Sequence, residues 1–210
     1  MGSTTFFGNR ARSKLLNTWV GGTYTLTNGS LLFTGSASVG DYVWLDADGS
    51  QFAVRVASAG HLAYPYLGAG GTGNGYTCTP STIAVTRGFE ANVSWTNSDL
   101  YGTDSIFRQD EARSQLKVDT KLKYSKWDAG VTHDWMMSVL NPDAPDGTIE
   151  NTNLQYTNAV VYTIVGSNMS SSLEIVCGRV YWEGLPNTIP ENDFVIRDIS
   201  GHAKGACFYG

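Results

Sequence analysis

Cysteine, histidine, proline and charge are all scarce in this chain. Its 210 residues include three Cys, three His and six Pro, and only 16% are charged. Cys78, Cys177 and Cys207 cannot all pair within one chain, and none sits in a C-x-x-C or His-bearing cluster. That speaks against a disulfide scaffold and a structural zinc site. No apolar run approaches the roughly 20 residues of a membrane helix. The first residues also lack a basic stretch leading into an apolar one. The expectations are therefore no membrane partner and no export signal. His61, His133 and His202 lie far apart, and no H-E-x-x-H or G-x-S-x-G string occurs. The nearest approach to a catalytic pair is His133-Asp134, which an ordinary loop explains equally well. The expectation is a protein without enzymatic activity.

What the chain has in abundance is glycine, 24 residues, and aromatic side chains, 12% of positions. The net charge of −5 is unevenly spread. Residues 1–130 carry 11 bases against 10 acids, and residues 131–210 carry 3 against 9. A protein that wraps nucleic acid by charge alone is basic overall, so any nucleic-acid contact must be local. Arg10, Arg12 and Lys14 are the candidates, because no acid precedes Asp41.

Alternation with a period of two recurs in segments rich in Val, Ile, Tyr, Trp and Thr, such as 22–26, 41–45, 52–56, 115–124, 160–165 and 173–182. Turn signals separate them, among them Asn28-Gly29, Asp48-Gly49 and Asp146-Gly147. Many short strands at this spacing predict an all-β sandwich or barrel. Residues 97–113, with Ser98 as an N-cap, fit a short helix or an irregular crossover, and 133–140 forms a second helix candidate. No long linker divides the chain, so one domain over residues 21–210 is expected, with residues 1–20 as a loosely attached arm.

The run Gly68, Gly70, Gly73 matches G-x-G-x-x-G, yet β-branched residues and Pro80 follow where a dinucleotide site requires a helix. A flexible loop is the expectation. The acid pairs Asp46/Asp48, Asp143/Asp146 and Glu191/Asp193 each adjoin Gly or Pro and suit turn formation, with calcium as the functional alternative. The six tryptophans suit stacking on sugars or bases, but their strand settings favour core or interface.

Two stretches resemble the capsid shell of small icosahedral positive-strand RNA viruses of the nodavirus and tombusvirus type. One contains Phe52, Arg55, Val56, Ser58, Ala59, Gly60 and Tyr64. The other runs from Ala159 through Val165, Leu173 and Val176 to the exit Glu183-Gly184-Leu185-Pro186. Residues 104–127 resemble that family's crossover and central strands. The resemblance implies an eight-stranded jelly-roll β-sandwich whose copies assemble into an icosahedral virion shell in the host cytoplasm. It also implies calcium at subunit contacts, for which Asp143 and Asp146 are candidates, and a basic arm facing RNA, here reduced to Arg10, Arg12 and Lys14. The alternative is a carbohydrate- or receptor-binding β-sandwich module of a phage tail or spike, which the Tyr, Trp, Asn and Gly content also suits.

Overall fold

A computed structural model describes residues 6–16, 19–85, 88–101, 108–127, 156–166, 172–183 and 196–210. Apart from one 3-10 turn, Ser50–Phe52, its regular elements are all strands. They are β1 (Phe6–Leu16), β2 (Val20–Thr27), β3 (Phe33–Thr34), β4 (Tyr42–Leu45), β5 (Val54–Ser58), β6 (His61–Leu62), β7 (Gly70–Cys78), β8 (Ser81–Val85), β9 (Gly88–Tyr101), β10 (Arg108–Trp127), β11 (Tyr156–Gly166), β12 (Ser172–Trp182) and β13 (Ile196–Tyr209). The all-β expectation is met, though with thirteen described strands in place of eight.

The strands form two antiparallel sheets. One has the order β13-β12-β11-β1-β8-β10-β9, and β10 also pairs with β13, so that sheet closes on itself into a barrel-like ring. The second has the order β3-β2-β7-β4-β5-β6. Closure removes most exposed edges from the first sheet, and the outermost strands of the second are two residues each.

The second sheet packs on one face of β11, β12 and β13. Leu26, Tyr42, Trp44, Val54 and Tyr66 meet Leu16, Val161, Val176 and Tyr209 there. The opposite face of the same strands is covered as well, by a cluster of Leu15, Val160, Tyr162, Ile175, Cys177, Val180 and Trp182. Ala159 to Thr163 are therefore all buried in succession, which is why β11 reads as an unbroken apolar run. Phe89 stacks on Tyr162 at 4.5 Å between ring centroids.

Three expectations are corrected. Residues 6–16, expected within an arm, form β1, which is hydrogen-bonded to β11 on one edge and β8 on the other. Its C-terminal part follows the pleat, with Ser13 and Leu15 buried on one face and Leu16 on the other. Of residues 97–113, expected as a helix or crossover, 97–101 and 108–113 are strand instead, with Asn97 and Arg113 as cross-strand partners in β9 and β10, and 102–107 lie outside the described residues. Tertiary pairing overrides a thin helical stripe of three apolar residues. The glycine-rich stretch is a strand, paired with β2 along its length and with β4 at residues 75–78. A Cβ on Gly75 would lie 2.6 Å from the Trp44 carbonyl oxygen, so only glycine admits this close approach. The segment 133–140 lies outside the described residues.

One polar junction joins the two sheets. Glu174 on β12 is 2% exposed. Its Oε1 accepts a 2.8 Å hydrogen bond from Arg55 Nε on β5, and its Oε2 accepts one of 3.1 Å from the Tyr42 hydroxyl on β4. Removing one partner of a buried pair strands the other, a cost on the order of 3–5 kcal/mol. We expect Arg55→Met to lose about that much in urea unfolding, and Arg55→Met/Glu174→Leu to lose clearly less than the sum of the two single changes. Simple additivity would show that the pair does not act as a unit.

The same burial governs the thiols. Burial pushes Cys177 from the ordinary 9.0 up to about 12, against a hydrogen bond from Thr120. It pushes Cys207 up to about 11. The fold favours the neutral thiols, so their contribution is complete below the unfolded value and is lost as pH rises through the folded values. The melting temperature should therefore fall above about pH 9. At pH 8 a water-soluble thiol reagent should label Cys177 and Cys207 only after unfolding, and rapid native labelling would contradict their burial.

Candidate functional sites

Three features recommend themselves as sites, a cavity walled by aromatic residues, a charged cluster on the barrel and an extended two-stranded surface. The cavity, of about 280 Å³, lies where the 45–51 turn region meets β7, β12 and β13. Trp19, just ahead of β2, packs edge-on against Tyr76 at 6.2 Å and 82°, and Tyr76 in turn lies 5.7 Å from the buried Trp44. Ser50 and Gln51 of the 3-10 turn line the cavity, and the turn presses on bare backbone. A Cβ on Gly178 would come within 2.2 Å of the Gln51 amide nitrogen.

Arg179 and Lys204 complete the wall. Arg179 has φ of 50°, the left-handed region that non-glycine residues seldom enter. Its amide donates to the Ser50 hydroxyl at 3.2 Å. The register Gly178↔Gly205 and Val180↔Ala203 sets Arg179 directly opposite Lys204 on neighbouring strands.

Asp46 and Asp48 line the same cavity, in distinct roles. Asp48 is a turn residue, as expected. Its carboxylate accepts from the Tyr66 hydroxyl at 2.7 Å and from the amides of Ala69 and Gly70 at 3.1 Å each. Burial, then the hydrogen bond to Asp48, holds the Tyr66 hydroxyl above its ordinary range. Asp46 is exposed.

The charged cluster centres on His202 of β13. Its Nδ1 lies 2.6 Å from Asp119 Oδ1 on β10, and its Nε2 lies 2.5 Å from Glu183 Oε1. Burial works to raise the Asp119 carboxyl, but hydrogen bonds from His202 and Lys117 outweigh it and hold it below the usual range. Ser200 lines the same hollow. With a carboxylate at each ring nitrogen, His202 has no nitrogen left to accept a proton from that serine, so this is not the geometry of a nucleophile and its base. Among the described residues, no group of three or more His, Cys, Asp and Glu is arranged to hold a metal ion.

Of the residues singled out from sequence, Asp46, Asp48, Trp19 and Trp44 meet at the cavity, and the basic candidates fall elsewhere. Arg10, Arg12 and Lys14 all lie on β1. Arg12 is exposed, while the Lys14 ammonium sits 5.8 Å from the Tyr42 ring centroid, at the edge of the inter-sheet core. Asp143 and Asp146 lie outside the described residues. Sequence reasoning missed Arg179 and Lys204, whose 25-residue separation becomes adjacency only through the β12–β13 register.

A third feature is an extended surface. The β9–β10 hairpin outruns the barrel, since β10 pairs with β13 only from Val118 onward. From Ser94↔Lys117 out to Tyr101↔Arg108 the two strands pair with each other, and no other described strand pairs with either. Among the described residues, no helix is long and apolar enough to cross a membrane. Compared with protein-family models and with curated proteins, the chain matches none.

The Asp48 arrangement makes a local prediction. Asp48→Ala leaves the Tyr66 hydroxyl and two amides without their acceptor, which should cost about 2–3 kcal/mol and increase amide exchange at Ala69 and Gly70. An unchanged melting temperature would show that water replaces the carboxylate.

Proposed function

We propose that this chain is a structural subunit that assembles with copies of itself into a virion shell, as a capsid protein. The observation that carries the reading is the β9–β10 ribbon. Two-stranded ribbons are marginal in water on their own, and exposed strand edges are templates for pairing with another chain. The charges on the two strands suit a second copy as the occupant. β9 carries Glu90 and Asp99 and no base, whereas β10 carries Arg108, Arg113, Lys117, Lys121, Lys123 and Lys126 against Asp110, Glu111 and Asp119. Head-to-tail pairing of β9 on one copy with β10 on the next is a heterologous contact, the kind that closes into rings or shells.

The resemblance to nodavirus and tombusvirus shells adds support of a second kind. Its first stretch spans β5 and β6, its second spans β11 and β12, and the Arg55–Glu174 pair joins them. In this proposal the two sheets do the work of a jelly roll's two layers. Contact of Arg10, Arg12 and Lys14 with nucleic acid, and calcium held by Asp143 and Asp146 between subunits, belong to the same reading.

Purified protein examined by electron microscopy and light scattering should show closed particles. A variant in which Ser94 is joined to Lys117 by an Asn-Gly turn should remain folded yet monomeric. A wild-type chain that stays monomeric across salt, pH and calcium conditions would overturn the proposal, as would normal particles from the shortened variant.

A further inference from the structure

We propose that the Trp19 cavity is a binding site for one neutral pyranose ring. Three observations converge. The first is an aromatic ladder from core to surface, in which buried Trp44 supports Tyr76 and Tyr76 supports Trp19, which remains 42% exposed. The planes of Trp19 and Tyr76 meet at 82°, so this contact covers at most one face of the indole. An accessible indole face fixed at the rim of a cavity is a flat apolar surface with a wet edge. A pyranose matches it, with a patch of C–H groups on one side of the ring and hydroxyls around it.

The second is the balance of charge. Asp46 and Asp48 stand against Arg179 and Lys204 in the wall, two acids to two bases, so the lining has no formal net charge. Such a site gives an ion no Coulombic advantage to set against the water it must shed. A neutral molecule rich in hydroxyls suits it, because each hydroxyl both donates and accepts. Asp48 is committed to the Tyr66 hydroxyl and two backbone amides, whereas Asp46 and Lys204 are exposed and offer an acceptor and a donor. The Gln51 amide adds a third polar group, anchored by its Nε2 donating to the Asp48 carbonyl oxygen at 2.9 Å.

The third is the rigidity of the wall. A Cβ on Gly178 or on Gly205 would lie 2.2 Å from the Gln51 amide nitrogen or 3.2 Å from its Cγ, so the turn is seated on two bare strands. Arg179 keeps its left-handed φ of 50° beside it, and such backbone persists only where the surroundings over-determine it. A small ligand gains from walls already in place, since little has to be ordered when it arrives. The volume of about 280 Å³ is near the lower bound of small-molecule sites, about 300 Å³, which suits one ring rather than an extended chain.

Saturation-transfer NMR on the full-length protein, read on the protons of the added probe, tests the site. Methyl β-galactoside, methyl β-glucoside and methyl α-mannoside are the neutral rings. Methyl glucuronide is the charged ring, glycerol supplies hydroxyls without a ring face, and adenosine is a flat stacking molecule. At least one neutral ring should bind saturably, with a dissociation constant of about 1 mM, and its C–H face should receive the most saturation. Trp19→Ala should abolish that binding, and Asp46→Asn should weaken it by about tenfold, each with the rest of the amide spectrum unchanged. The glucuronide should bind no more tightly than the glucoside. Absence of saturable binding by all the neutral rings, or unchanged binding by either variant, would overturn the proposal. So would tighter binding of glycerol, adenosine or the glucuronide than of the best neutral ring. The readout is the same for free and assembled chains, so it stands apart from the test of assembly.

Discussion

The two sheets are held in register by one buried carboxylate. Glu174 sits where β12 passes beneath β4 and β5, and its two oxygens are taken by Arg55 and Tyr42. A buried charge is tolerated only when paired and hydrogen-bonded. The sheets must therefore approach each other in the arrangement that delivers Arg55 to Glu174. Apolar packing around the pair supplies most of the attraction but has little directional preference. The ion pair supplies the direction. Tyr64 reinforces it by bonding Ser172 and stacking on Tyr209 at 5.5 Å, which ties β13 to the same junction.

From that junction the cavity follows. With β12 docked on the second sheet, the Ser50–Phe52 turn presses against Gly178 and Gly205, Arg179 is forced through a positive φ, and Lys204 comes opposite it. Trp19, ahead of β2, and aromatic residues from β4 and β7 then line one cavity with cations from the barrel. The site thus belongs to the contact between the sheets, and neither sheet contains it alone.

Much of this architecture was legible from alternation. Residues 160–165 and 173–182 announced β11 and β12 because strands buried on both faces are rich in Val and Ile. What failed to show had physical reasons. β7 hid behind its glycines, of which Gly75 is there because Trp44 and Tyr24 crowd its backbone, and glycine carries no periodicity. β1 hid behind Arg10, Arg12 and Lys14, whose lack of neutralising acids suggested an arm, although the seating of Leu15 and Leu16 in two different cores decided the outcome. The site escaped because its members come from residues 19, 46, 76, 179 and 204, and no local spacing links them. Residues 97–113 misled in the opposite direction, since a helical stripe of three apolar residues is within the noise of a polar hairpin.

Closure of the barrel also sets the order in which the chain can acquire its structure. β1 meets β8 once about 85 residues have been made, but its other neighbour, β11, begins at Tyr156. Arg55 likewise waits 119 residues for Glu174. Contacts this distant in sequence slow folding, because loop-closure entropy must be overcome before they form. During synthesis the second sheet can form early, since its strands all lie between Val20 and Cys78, while one edge of β1 and the face around Arg55 remain open. The last strand, β13, meets both β10 and β12 and completes the ring. A nascent chain therefore exposes apolar strand surface until β13 emerges, and its exposure to premature pairing with another chain is greatest just before then.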